Sequence, residues 1–122
     1  MATIKANRRL VRTPFALEKG KVYRLSAIGK WTDFIPTTTA SGYSAFYLKC
    51  FEKWRRLPDA KWFSIIGQID DQRETRFDIG ILLEKNEPYL STATGVLQCF
   101  ANDLSFMYRN NWGAIELGVE EI

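Results

Sequence analysis

Along residues 22–27 apolar and polar side chains alternate, with Tyr23, Leu25 and Ala27 on one face and Arg24 and Ser26 on the other. A period of two predicts a half-buried strand, because successive side chains of an extended chain point to opposite faces. Gly20 and Gly29 punctuate its ends. Ile4–Leu10 alternates more weakly and is expected to form an edge or opening strand. Trp62–Ile69 is short, apolar and β-branched, which predicts a central strand, with Gly67 at a bulge or close approach. Arg76–Ile79 gives another short alternation, Asn86–Tyr89 a turn, Gly95–Ala101 a further strand, and Ala114–Val119 a last one that turns Ile115, Leu117 and Val119 inward.

Ser44–Arg56 breaks this rhythm. Tyr47, Cys50, Phe51, Trp54 and Leu57 recur at three- and four-residue spacing, which predicts one short amphipathic helix ending before Pro58. Many short strands, regular turn signals and a single helix add up to an all-β fold, a small antiparallel β-sandwich with one short helix. At 122 residues it is expected to be one domain, with no internal repeat, linker or low-complexity segment.

A hydrophobic content of 46% suits a globular core, and a net charge of +3 is too small to imply a polyanion partner, so no nucleic acid is expected. The N-terminus has charges but no apolar run behind them, and no stretch approaches the ~20 apolar residues of a membrane helix. The expectation is a cytoplasmic protein without membrane insertion. Cys50 and Cys99 both sit in apolar runs and read as reduced core thiols, with a disulfide left open. The chain has no histidine, which removes Ser-His-Asp and Cys-His catalysis and His-based zinc sites. No catalytic constellation stands in their place.

The chemistry gathers in residues 100–113, where Asn102, Asp103, Asn110 and Asn111 lie between an apolar run and an alternating one. A hard cation such as Ca2+ takes roughly 6–8 oxygen ligands from carboxylates, amide carbonyls, main-chain carbonyls and water. The loop offers all of these, and only Cys99, just upstream, would suit a softer metal. Asn and Asp are also ordinary turn residues, since they bond their own backbone and tolerate left-handed conformations.

Two segments together resemble the small calcium-dependent, galactose-binding bacterial lectins of the PA-IL type. One is Gly20–Trp31, a strand that ends in a Gly followed by a Trp and a loop. The other is Cys99–Gly113, which is similar to that family's Asn-Asp, four or five residues, Tyr, one residue, Asn-Asn, one residue, Gly pattern. The resemblance implies a jelly-roll-like sandwich of the galactose-binding-domain type, with one Ca2+ at its end bridging protein to sugar hydroxyls. Carried over by position, it implies side-chain ligands from Asp103, Asn110 and Asn111 and main-chain carbonyls from Met107 and Phe34. Outside the family's ligand set, Asp33 beside Phe34 would add a second charge. The sugar would be met by Asp103, Met107 and Asn110, with Trp31 and Trp112 as the aromatic residues flanking the two loops. Two departures bear on the sugar. The family's His is missing, so galactose specificity does not carry over, and Ser105, Phe106 and Met107 replace a smaller Pro-Gly-Thr.

Lys53, Arg55 and Arg56 with Trp54 and Trp62 could be taken for a single-strand nucleic-acid patch. The weak net charge favours a simpler reading, with Trp54 facing the core and the basic residues on the solvated side of the helix. The adjacent acids Asp70 and Asp71, or Glu120 and Glu121, point apart along an extended chain and cannot flank a glycosidic bond. The expected function is therefore a non-enzymatic, Ca2+-dependent carbohydrate-binding protein. The alternative keeps the fold and drops the site: a structural or interaction module that forms a homo-oligomer or docks a partner through Ser44–Leu57.

Overall fold

The computed structural model describes residues 1–33, 37–43, 55–103, 108 and 111–122. Among these residues the strands are β1 (Ala2–Lys5), β2 (Val11–Leu17), β3 (Val22–Asp33), β4 (Thr37–Thr38), β5 (Ile65–Ile69), β6 (Gln72–Asp78), β7 (Tyr89–Leu90), β8 (Gly95–Ala101) and β9 (Asn111–Glu121), with one helix, α1 (Ile79–Lys85), between β6 and β7. The strands make two antiparallel sheets, one ordered β1-β9-β3-β4 with β7 also on β3, the other β2-β8-β5-β6. Their apolar faces meet as a sandwich over Ile4, Trp31, Phe63, Ile65, Ile69, Leu97, Cys99, Ile115 and Leu117, all fully buried. Each such aliphatic side chain stabilises the fold by about 1.5–3 kcal/mol. The antiparallel sandwich with one short helix agrees with the sequence reading.

Gly95–Ala101 forms the strand expected of it, and Ala114–Val119 lies inside the longer β9. Three elements differ. Val11–Leu17 has a period-two pattern interrupted by Pro14, yet forms β2. The strand is at a sheet edge, and its register with β8 shifts between Arg12 and Ala16, so the missing N–H breaks no ladder. The strand expected over Trp62–Ile69 begins only at Ile65, because Phe63 takes φ 60, a conformation that interrupts extended backbone. The expected Ile4–Leu10 strand stops at Lys5, where Arg8 N donates to Lys5 O and closes a turn.

Residues 44–54 of the expected Ser44–Arg56 helix lie outside the described residues, and Arg55 and Arg56 stand in a bend. The described helix is α1, between the alternation read over Arg76–Ile79 and the turn read over Asn86–Tyr89. Its signals are local: Asp78 caps the N-terminus by accepting from Ile81 N at 3.0 Å, and Asn86 ends it at φ 54. Asp70 and Asp71, both at positive φ, form the tight β5–β6 hairpin. Asp70 there accepts from Val96 N and Asp71 from Gln98 Nε2, both at 2.8 Å, so these acids are structural.

Candidate functional site

The register of β3 and β9 brings the two sequence-predicted loops to one end of the sandwich. Asp33, the last residue of β3, pairs with Asn111, the first of β9. Asp103, just past the end of β8, reaches the same corner from the other sheet: its carboxylate oxygen Oδ2 accepts from Asn111 Nδ2 at 3.2 Å. Both residues are only 3% exposed.

The Asn111 side chain holds an unusual position. Its Nδ2 also donates to the carbonyl of Ala6 at 3.1 Å, so the nitrogen faces two oxygen acceptors and the amide has only one sensible orientation. That orientation leaves Oδ1 buried with no hydrogen-bond partner among the described residues. A buried polar atom of this kind costs about 1–3 kcal/mol, and native structures carry few of them. An orphaned amide oxygen beside a buried carboxylate suits a hard cation, which takes both oxygen types. Among the described residues no three His, Cys, Asp or Glu side chains cluster, and the expected ligand set contains one carboxylate with amide and main-chain oxygens. Phe34, Met107 and Asn110 lie outside the described residues, as does the side chain of Asp33.

Asn102, grouped with these donors in the sequence, has a different task. Its Oδ1 accepts from Leu57 N at 2.9 Å, while Nδ2 donates to the carbonyls of Leu57, Ala60 and Lys61 at 2.9, 3.1 and 3.1 Å. Its backbone completes the clamp, accepting from Phe63 N and donating to Ser64 O. Asn102 is fully buried and pins residues 57–64 beneath the site.

The two candidate tryptophans separate cleanly. Trp112 pairs with Thr32 on the outward face and is 62% exposed, free to offer an aromatic face. Trp31 pairs with Gly113 on the inward face and is fully buried, with its indole Nε1 donating to Phe63 O at 3.0 Å and its ring edge-on to Phe63. Sugar stacking by Trp31 is thereby corrected to core packing, since no ligand reaches a ring without exposed surface. Gly113 lets the strands approach here: a Cβ would lie 2.9 Å from Lys30 O and from the Trp31 Cα.

Two residues that sequence reasoning missed support the corner. Tyr108 donates to the carbonyl of Ala101 at 2.6 Å and accepts from Arg56 Nη1 at 2.9 Å, and burial pushes its phenol up to about 12. Arg56, read as a solvated helix residue, lays its guanidinium 3.6 Å over the Phe100 ring and donates its backbone N–H to Asp103 O. Arg76 shares that ring at 5.0 Å and has its pKa lowered by burial and then by the Arg56 and Arg73 charges. Arg55 is likewise buried, 5.2 Å over Trp62. Nothing in local sequence marks these partners, because Arg56 and Tyr108 are 52 residues apart. Cys99 is a free thiol buried between the sheets, its pKa raised by desolvation, and Cys50 lies outside the described residues.

With this geometry in place, comparison with solved structures finds a likeness over nearly the whole chain. A solved structure described as "EclA N-terminal domain; PllA-like lectin" matches 99% of this chain and 94% of its own, with a TM-score of 0.68 and 17% sequence identity. The chain shares its fold with a lectin domain. At this identity the likeness speaks for the fold alone. No family model matches the sequence, and no curated protein matches it. Among the described residues, no helix is long and apolar enough to cross a membrane.

Proposed function

We propose that this chain is a non-enzymatic carbohydrate-binding protein whose ligand is held through Ca2+ at the end of the sandwich. The observation that carries the reading is the buried, unpartnered Oδ1 of Asn111 beside the Asp103 carboxylate. Asn111 and Asp103 would hold the cation together with Asn110 and the main-chain carbonyls of Met107 and Phe34. When bound, the cation supplies a positive centre that attracts vicinal sugar hydroxyls. The lectin fold supports the carbohydrate, and the donor chemistry supports the metal.

The chain's own residues prepare this corner. Ala6 O and Asp103 Oδ2 hold the Asn111 amide so that its oxygen is left for a ligand, and the Asn102 clamp fixes the segment below. Trp112 stands exposed one residue away, placed to cover the apolar face of a pyranose.

The test is thermal unfolding of chelator-stripped protein with and without Ca2+, paired with a glycan array under both conditions. A ligand that binds only the folded state raises the melting temperature by mass action. Calcium-dependent stabilisation with calcium-dependent glycan signals is the expected result. An unchanged melting temperature overturns the metal. Stabilisation with a blank array points instead to a structural metal in an interaction module.

A further inference from the structure

The turn that supplies Ala6 to the candidate site also builds a second feature, on the side of the sandwich where the edge strands β1 and β2 lie. A hollow of about 300 Å3 opens there, lined by Thr3, Lys5, Arg8, Leu10, Val11 and Arg12. Its volume is at the lower bound of small-ligand sites. Leu10 and Val11, both half-buried, form an apolar wall, and Lys5, Arg8 and Arg12 stand exposed around it. The turn bond from Arg8 N to Lys5 O, at 3.2 Å, brings the first two together, and Arg12 follows from the start of β2.

Among the described residues none of these three cations makes an ion pair or a side-chain hydrogen bond, whereas Lys21 and Lys61 both pair with glutamates. The neighbouring acid, Glu116, is engaged by the Thr3 hydroxyl at 2.7 Å. Three like charges around one concavity repel one another, and an anion that bridges them removes that repulsion while gaining charge-assisted hydrogen bonds. Arginine is well suited to this because its planar fork matches sulfate and carboxylate oxygens in pairs.

The hollow adjoins the candidate metal corner through the same turn. Ala6 O accepts from Asn111 Nδ2, and Arg9 O accepts from Arg56, whose backbone N–H bonds Asp103 O. We propose that this hollow is a second binding site, for the anionic substituent, sulfate or carboxylate, of a glycan. The carrier is a glycan on the strength of the proposed function, while the charge of the group rests on the hollow itself.

Titration calorimetry on the full chain would compare four probes in Ca2+ and in chelator: a sulfated heparin tetrasaccharide, a carboxylated hyaluronan tetrasaccharide, neutral chitotetraose and an oligothymidylate. Lys5→Gln, Arg8→Gln and Arg12→Gln, singly and combined, would be set against Lys19→Gln, which removes a charge elsewhere on the surface. All four positions are exposed, so the variants fold. Binding of one or both acidic tetrasaccharides, weakened roughly tenfold for each charge removed from the hollow and within about twofold of wild type for Lys19→Gln, is expected. Which one binds distinguishes sulfate from carboxylate. Unchanged affinity in the triple variant, equal losses with Lys19→Gln, or chitotetraose binding as tightly as the acidic probes overturns the site. Oligothymidylate binding as tightly as the acidic glycans, with the same losses, overturns the glycan in favour of nucleic acid. Acidic-glycan binding that persists in chelator and vanishes with the triple variant upholds the hollow even where the calcium melting test fails.

Discussion

Replacing Asn111 with Asp tests the corner with a change of one atom type. Nδ2 of Asn111 lies 3.2 Å from the Asp103 carboxylate, and the variant would put a second carboxylate oxygen there. Two charges at that spacing repel by about 5 kcal/mol at an effective dielectric constant of ~20. Protonating one of them is slightly easier: at pH 7 a carboxyl of ordinary pKa costs about 4 kcal/mol to protonate, which caps the penalty. The Ala6 carbonyl also loses its donor, which adds about 1 kcal/mol. The sum of about 5 kcal/mol corresponds to a fall of roughly 20 °C in Tm for a domain of this size. The sign of the pH dependence follows. Repulsion raises the folded-state pKa of the pair above its unfolded value, so the variant regains stability as the pH falls, by about 2.7 kcal/mol between pH 7 and pH 5. Calcium should act in the same direction, because a divalent ion neutralises both carboxylates. Saturating the wild type at a hundredfold excess over Kd adds about 2.7 kcal/mol, and the variant should gain more. Differential scanning fluorimetry at pH 5 and 7, in chelator and in Ca2+, reads all four conditions. A variant as stable as wild type in chelator at pH 7 would refute the Asp103–Asn111 contact, and a stability gap that Ca2+ leaves unchanged would refute the metal.

Asn102→Ala removes four side-chain hydrogen bonds at a fully buried position and should cost about 4 kcal/mol in urea unfolding; a loss under 1 kcal/mol would show that residues 57–61 hold without the clamp. Trp31→Phe leaves the Phe63 carbonyl without its donor, with an expected loss of about 1–3 kcal/mol and no direct effect on the sugar contact, whereas Trp112→Ala should change stability by less than about 0.5 kcal/mol while weakening any glycan signal. For Tyr108 the folded pKa is raised from 10.0 to about 12, so its contribution is complete below pH 10 and is lost as the pH climbs through 12. The loss amounts to about 3 kcal/mol, and Tyr108→Phe should remove that part of the alkaline decline seen by near-ultraviolet circular dichroism.

The fold was largely legible because its main signal is local and periodic. Leu97, Cys99 and Ala101 alternate with Gln98 and Phe100 in the sequence, and in the structure the first set faces the opposite sheet. The misreadings arose where a local rule met a tertiary exception. Asp78 and Asn86 are caps of a helix too short for its period to stand out over the alternation before it, and Val11–Leu17, where no strand was expected, carries Pro14 because the strand is an edge. The candidate site was legible as a place but not as a division of labour. Asn102, Asp103 and Asn111 look equivalent as oxygen donors, yet the oxygen of Asn102 is committed to Leu57, 45 residues away, and that of Asn111 is left free by Ala6, 105 residues away. Trp31 and Trp112 are separated in the same manner, one by an inward and one by an outward register position. A loop composition can mark the end of the sandwich where oxygens gather. Which oxygen is left for a ligand is decided by partners that only the closed sandwich brings within reach, and so the Asn111 amide, rather than the richness of the loop in Asn and Asp, carries the case for a metal here.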